Sequence, residues 1–124
     1  MTDKPCVLLV EDEPAQREIL RYNLVSEGYE VTTAANGDDA LLLAEELRPD
    51  LVLLDWMLPG VSGIEVLRQI RRKRETSGMS VIMISARHEE MDRVRGLETG
   101  ADDYMVKPFS PSKLIQKIES FLSV

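Results

Sequence analysis

Five short apolar runs alternate along the chain with longer segments in which apolar residues recur every three or four positions. The runs cover 6–10, 30–34, 50–54, 80–84 and 103–106, and three of them are almost continuously apolar. That is the pattern of parallel strands covered on both faces. Between them, Ala40, Leu43, Ala44 and Leu47 repeat with helical spacing, as do Gly63, Val66, Leu67 and Ile70. Met91, Val94 and Leu97 mark a fourth helix, and Leu114, Ile118 and Phe121 a fifth. The first helix opens at Pro14, a favoured first-turn residue, and stops at Gly28. Asn36-Gly37 signals a turn ahead of the second helix, and Gly100 closes the fourth. Five strand–helix pairs predict an α/β fold, a (βα)5 doubly wound three-layer sandwich with right-handed crossovers. A closed barrel would need eight pairs.

Length and charge narrow the function. A chain of 124 residues is one domain by the usual span of about 100–200, and 1–124 reads as a single unit without linker or repeat. Such a globule buries roughly two-thirds of its unfolded surface and needs no disulfide or metal to fold. The net charge of −7 argues against direct binding to DNA or an anionic membrane, because phosphate contacts require clustered cations. The apolar runs fall far short of the ~20 residues that span a bilayer. The first residues, Met-Thr-Asp-Lys-Pro, lack the apolar core of a signal peptide. Cys6, the single cysteine, is expected to be a buried, reduced thiol in a cytoplasmic protein.

The chemistry gathers where the strands end. Ligands of open α/β sheets bind beyond the carboxyl ends of the strands. There the first strand leads into Glu11-Asp12, the third into Asp55, the fourth into Ser85 and the fifth into Lys107-Pro108. The second, with Ala34-Ala35, adds nothing obvious. If these strands are neighbours, three carboxylates, a hydroxyl and an ammonium converge. Two like charges about 4 Å apart at an effective dielectric near 20 repel by roughly 4 kcal/mol, so cations must compensate. Lys107 is one; a hard divalent ion is the natural second, with Mg²⁺ the best fit and Mn²⁺ a substitute. One histidine in the chain leaves no cluster for zinc. A carboxylate beside Mg²⁺ can act as a nucleophile toward phosphorus, and Asp55 is the best placed. No glycine-rich phosphate loop is present, so nucleotide binding is not expected. Singly, Asp12 reads as a helix cap, Asp55 as a turn residue, Lys107 as a solvated charge and Ser85 as structural. Their joint occurrence at four strand ends is the signal.

The stretches Val-Glu-Asp-Glu at 10–13, Leu-Leu-Asp-Trp-Met-Leu-Pro-Gly at 53–60, Ser-Ala-Arg at 85–87 and Gly-Ala-Asp-Asp-Tyr-Met-Val-Lys-Pro-Phe at 100–109 resemble the receiver domain of two-component response regulators. The segment 92–104 resembles the OmpR/PhoB type, and within it the phosphate-regulon regulators. The resemblance implies a flavodoxin-like, CheY-like sheet in the order 2-1-3-4-5. It implies that Asp55 accepts a phosphoryl group from a sensor histidine kinase, with no further enzymatic activity beyond that self-modification and its reversal. Glu11, Asp12, Asp55 and the backbone carbonyl of Met57 would arrange Mg²⁺. Lys107 would pair with the phosphate, and its bond to Pro108 would be cis. Ser85 and Tyr104 would form the switch, the hydroxyl turning toward the phosphate and the ring following it inward. The positions of Met57 and Arg87 would set the phosphoryl lifetime.

The resemblance further implies a symmetric dimer through the fourth helix, fifth strand and fifth helix, with Arg93, Glu98, Asp102, Asp103 and Lys117 supplying ion pairs. Lys113 stands where an acidic residue is common and Glu119 where a basic one is common, so the usual set of pairs is altered. A DNA-binding effector domain would follow in a longer protein, giving control of transcription of phosphate-responsive genes. The alternative is a stand-alone receiver that signals by protein–protein binding. A metal-dependent aspartyl phosphatase would place a second Asp where Met57 stands, and a pseudo-receiver would lack a site residue. The basic run of Arg68, Arg71, Arg72, Lys73 and Arg74 reads as a solvated helix end. His88 reads as exposed, and the scattered methionines read as filler.

Overall fold

The computed structural model describes residues 4–122. Five parallel strands, β1 (Cys6–Val10), β2 (Glu30–Ala34), β3 (Leu51–Asp55), β4 (Ser80–Ser85) and β5 (Asp103–Val106), form one sheet in the order β2-β1-β3-β4-β5. The helices are α1 (Pro14–Ser26), α2 (Gly37–Leu47), α3 (Gly63–Arg72), α4 (Glu90–Thr99) and α5 (Pro111–Leu122). The predicted (βα)5 architecture is the one observed. Three strand limits move by one residue: β3 begins at Leu51 and ends at Asp55, and β4 extends to Ser85. Asp50 sits at the entry of β3 instead, its carboxylate accepting the Cys6 N–H at 2.7 Å.

Helix limits follow local chemistry. The α1 N-cap is Glu13, whose carboxylate accepts the Ala15 and Gln16 N–H groups. The cap that Asp12 could have supplied if read singly is thus supplied by Glu13, which leaves the Asp12 side chain free of that task. Asn36 caps α2 and Ser62 caps α3 by the same means. α4 has no side-chain cap at its start.

The sheet alternates its side chains between two apolar layers. Val7, Leu9, Leu51, Leu53, Ile82, Ile84 and Met105 face α1 and α5, meeting Leu20, Leu24, Leu114, Ile115 and Ile118. Leu8, Val10, Val52, Leu54, Val81, Met83 and Tyr104 face the other way, toward Ala40, Ala44, Ile64, Leu67 and Ile70. Two expectations, for Cys6 and Arg71, are revised by packing. Cys6 is half-buried, not buried. Of the residues that mark α4, Leu97 packs partly buried against the core, while Met91 is 82% exposed and Val94 is exposed; the buried residue of α4 is Gly96. Arg71 is not a solvated helix end: it donates to the carbonyls of Gly100, Ser77 and Met79 and ion-pairs with Asp102 at 3.0 Å. His88 is exposed as predicted.

Candidate functional site

Parallel register brings the strand ends to one edge. Val10 pairs with both Ala34 and Leu54, Asp55 with Ile84, and Ser85 with Val106. Glu11, Asp55, Ser85 and Lys107 therefore stand side by side, each at or just beyond the end of its strand. Lys107 reaches across them, with Nζ 2.7 Å from Glu11 Oε1 and 2.8 Å from Asp55 Oδ2. Its own N–H is held by the Ser85 carbonyl at 2.8 Å, and the Lys107–Pro108 peptide is cis.

Glu11 and Asp55 are almost wholly buried, at 1% and 3% exposure, whereas Asp12 is exposed. One carboxylate oxygen from each of the three lies within 4.8 Å of the others. The Asp55 Oδ1 accepts the Met57 N–H at 3.0 Å, which fixes the carboxylate plane. Met57 itself is exposed. The loop after Asp55 turns tightly back: the Gly63 N–H donates to the Trp56 carbonyl, and a Cβ at Gly63 would lie 2.0 Å from the Asp55 carbonyl oxygen. Glycine is required there because no side chain fits. The Arg17 guanidinium donates to the carbonyls of Glu11 and Asp12, pinning the other side of the rim.

Electrostatics make this edge hungry for a cation. Burial pushes the Glu11 carboxyl above its usual range, against the opposing pull of its Lys107 hydrogen bond, and the neighbouring Asp55 charge adds to the rise. Burial would lower the Lys107 ammonium, but hydrogen bonds to Asp55 and Glu11 outweigh it and lift the group above its ordinary value. Three carboxylates face one ammonium. The donors are all oxygens, the set a hard divalent ion selects, so the residues present fit Mg²⁺.

Beyond the carboxylates lies a second group. Ser85 is fully buried, and its Oγ accepts the Arg87 N–H at 3.0 Å. Tyr104 is 7% exposed, and its hydroxyl donates to the Arg87 carbonyl at 2.7 Å. Trp56, next to Asp55, is buried against the Tyr104 ring edge-on, with centroids 6.2 Å apart. The Arg87 guanidinium lies 4.9 Å over the Trp56 ring and also ion-pairs with Asp92 on α4 at 2.8 Å. The sequence does not reveal this contact, because nothing in a linear pattern marks a cation over a ring.

The residues expected on the dimer face divide. Arg93 and Glu98 are exposed on α4. Asp103 pairs with Lys117 within the chain at 2.8 Å. Asp102 turns toward α3, where its Oδ2 meets Arg71 and accepts the Val81 N–H at 2.8 Å. Lys113 and Glu119 are exposed on α5, and Arg93 pairs with Glu90 on its own helix.

Residues 7–119 match the family described as the response regulator receiver domain. The chain belongs to that family. Among relatives of this receiver, it is 53% identical over 118 residues to the phosphate regulon transcriptional regulatory protein PhoB of Rhizobium meliloti (strain 1021), covering 95% of this chain and 52% of that protein. It is 47% identical over 116 residues to the protein of the same name from Escherichia coli (strain K12), covering 94% and 51%. The receiver thus spans about half the length of these curated relatives, and the match agrees with the OmpR/PhoB-type resemblance. Among solved structures, chemotaxis protein CheY4 of Vibrio cholerae aligns with a TM-score of 0.91 at 29% identity, covering 97% of this chain and 100% of that one. A putative response regulator from Chloroflexus aurantiacus J-10-fl gives 0.92 at 31% identity, covering 98% and 100%. The receiver fold and its strand order are those of this family.

Proposed function

We propose that Asp55 is the phosphoacceptor of this receiver, charged by a sensor histidine kinase in an Mg²⁺-dependent transfer. The observation that carries the reading is the Lys107 ammonium bridging two buried carboxylates, Glu11 and Asp55, with Asp12 beside them at the rim. In the transfer, an Asp55 carboxylate oxygen forms a bond to phosphorus as the nitrogen–phosphorus bond of the donor phosphohistidine breaks, and the nitrogen keeps the electron pair. The product is an acyl phosphate. Lys107 stays beside Asp55 and neutralises charge on the phosphoryl oxygens. Glu11, Asp12, Asp55 and the Met57 carbonyl would hold Mg²⁺, which when bound supplies charge neutralisation at the transferring group. The Ser85 hydroxyl is the local donor for a phosphoryl oxygen, and Tyr104 is the element whose position records the change. The reaction is confined to self-phosphorylation and its hydrolysis; the chain acts on no separate substrate.

The output is a symmetric dimer through α4, β5 and α5. Asp103 and Lys117 already hold each other within one chain, so a cross-interface pair would have to exchange for that bond. The relatives' names, and their additional half, support a transcriptional role in phosphate-responsive genes through a DNA-binding domain, in the cytoplasm. The alternative is a receiver that signals by protein–protein binding alone.

Incubation with acetyl phosphate, followed by intact-protein mass, tests the central claim. A single phosphoryl adduct, dependent on Mg²⁺ and lost in Asp55→Asn, is the expected result. No adduct, together with no Trp56 fluorescence response to Mg²⁺ and beryllofluoride, would sink it.

A further inference from the structure

Gly96 is out of place by local rules. It lies inside α4, where glycine is less favourable than alanine because it loses more backbone freedom on ordering. It is nevertheless the one buried residue of that helix among those described. Its backbone is not the reason, since its carbonyl accepts the Gly100 and Ala101 N–H groups, a service any residue could perform.

The space over its Cα is occupied. A Cβ built there would stand 3.1 Å from Tyr104 Cδ2 and 3.4 Å from Cε2, with the Trp56 ring at 3.9 Å. Contacts as short as the first require the neighbour to give way. The Tyr104 ring is closed in on its other sides, with Trp56 across its edge and its hydroxyl on the Arg87 carbonyl. It therefore has little room to shift while keeping that hydrogen bond.

We propose that Gly96 is a positioning residue: the missing side chain is the seat that lets Tyr104 lie inward beneath α4, and the seat supports the phosphorylated form of the receiver. The inference rests on the phosphoacceptor reading of Asp55, in which the inward ring belongs to the charged state. Gly96 touches no reacting atom and acts through Tyr104. A methyl group at 96 favours the helix and opposes the inward ring, so it separates helix stability from switch position. Since a ligand's apparent affinity scales with the population of the state that binds it, the effect is read in the binding of a phosphoryl analogue.

The test is a beryllofluoride titration with Mg²⁺, followed by Trp56 fluorescence, on the wild type, Gly96→Ala, Tyr104→Val and the double variant. Wild-type binding is the control for the phosphoacceptor reading; if it is absent, that reading and this inference fall together. With binding present, Gly96→Ala is expected to weaken it roughly three- to tenfold while the melting temperature holds or rises. In the Tyr104→Val background the same substitution should change affinity less than about twofold, because its effect travels through the ring. An unchanged affinity in Gly96→Ala, or an equal loss in both backgrounds, would overturn the proposal. Should Gly96→Ala fail to fold, Gly96→Ala/Tyr104→Val must recover folding, since removing the ring frees the seat; failure to recover would also overturn it.

Discussion

The two faces of the sheet are packed to different standards. Against α1 and α5, the buried residues are all aliphatic or methionine, from Val7 and Leu9 through Leu24 to Ile118. The opposite face has the same kind of packing under α2 and α3, but changes character under α4. There it holds Trp56, Tyr104, small Ala101 and a glycine, and the helix above leaves Met91 and Val94 to solvent. α3 buries Gly63, Ile64, Val66, Leu67 and Ile70; α4 buries Gly96 alone. The first region is a continuous aliphatic layer, and the second has few buried apolar side chains from the helix that covers it. Free energies of local opening are lowest where few apolar contacts are made, which places α4 at the low end. The polar site sits at the sheet edge both faces share, between a densely packed side and a sparsely packed one.

The sharpest way to break this comparison is to damage the foundation. Ile118→Ala, at a fully buried position, is expected to cost about 3 kcal/mol in urea unfolding. It should leave beryllofluoride affinity intact under conditions where the variant remains folded; a selective loss of binding would show that the α1/α5 face also carries the switch. Next comes the anchor at the far end of α4. Arg71→Met removes donors to three carbonyls and the Asp102 ion pair and should cost about 1–2 kcal/mol. Faster amide exchange should then appear at the α4–β5 corner. A uniform change across the molecule would mean that α4 is not a separable unit.

A smaller effect concerns the shared edge. Burial raises the Glu11 carboxyl, so the folded chain binds a proton there more readily than the unfolded chain. Its contribution to stability therefore falls as pH rises from the ordinary glutamate value through the raised one. In chelator-treated buffer, Glu11→Gln should flatten that part of the stability curve and abolish stabilisation by added Mg²⁺. The Lys107 ammonium, also raised, acts in the same sense in an alkaline window: its contribution is present below the ordinary lysine value and is lost as pH rises through its raised one. Smallest of all, Met91→Ala at an exposed position should change stability by less than about 0.5 kcal/mol. A large loss would mean that α4 is packed more firmly than its burial indicates.

Much of this organisation was legible in the linear pattern, and for specific reasons. Continuous apolar runs marked β1, β3 and β4 because a parallel strand covered on both faces has no polar side to show. Glu11 and Asp55 were legible because each directly follows such a run, Asp12 because it adjoins Glu11, and Lys107 because it follows the shorter run of β5. The spacing of Met91, Val94 and Leu97 marks α4 but does not say which of them turns inward, since the period is the same wherever the helix lies; of the three, Leu97 packs against the core. Arg71 was hidden in a run of like charges in which nothing distinguishes the one that turns inward. The same holds for Glu13 and Asp12, adjacent acids of which only one turns back to the helix.

The strand–helix alternation, the single layered sheet and the residue types at its carboxyl edge follow from the order of residues, because they depend on period and order alone. It took the folded chain to show that Lys107 spans Glu11 and Asp55, that Asp102 meets Arg71, and that Tyr104 lies against Gly96. Those facts depend on which of several sterically allowed directions a side chain takes, and that choice is made by partners distant in sequence that meet only once the sheet is assembled.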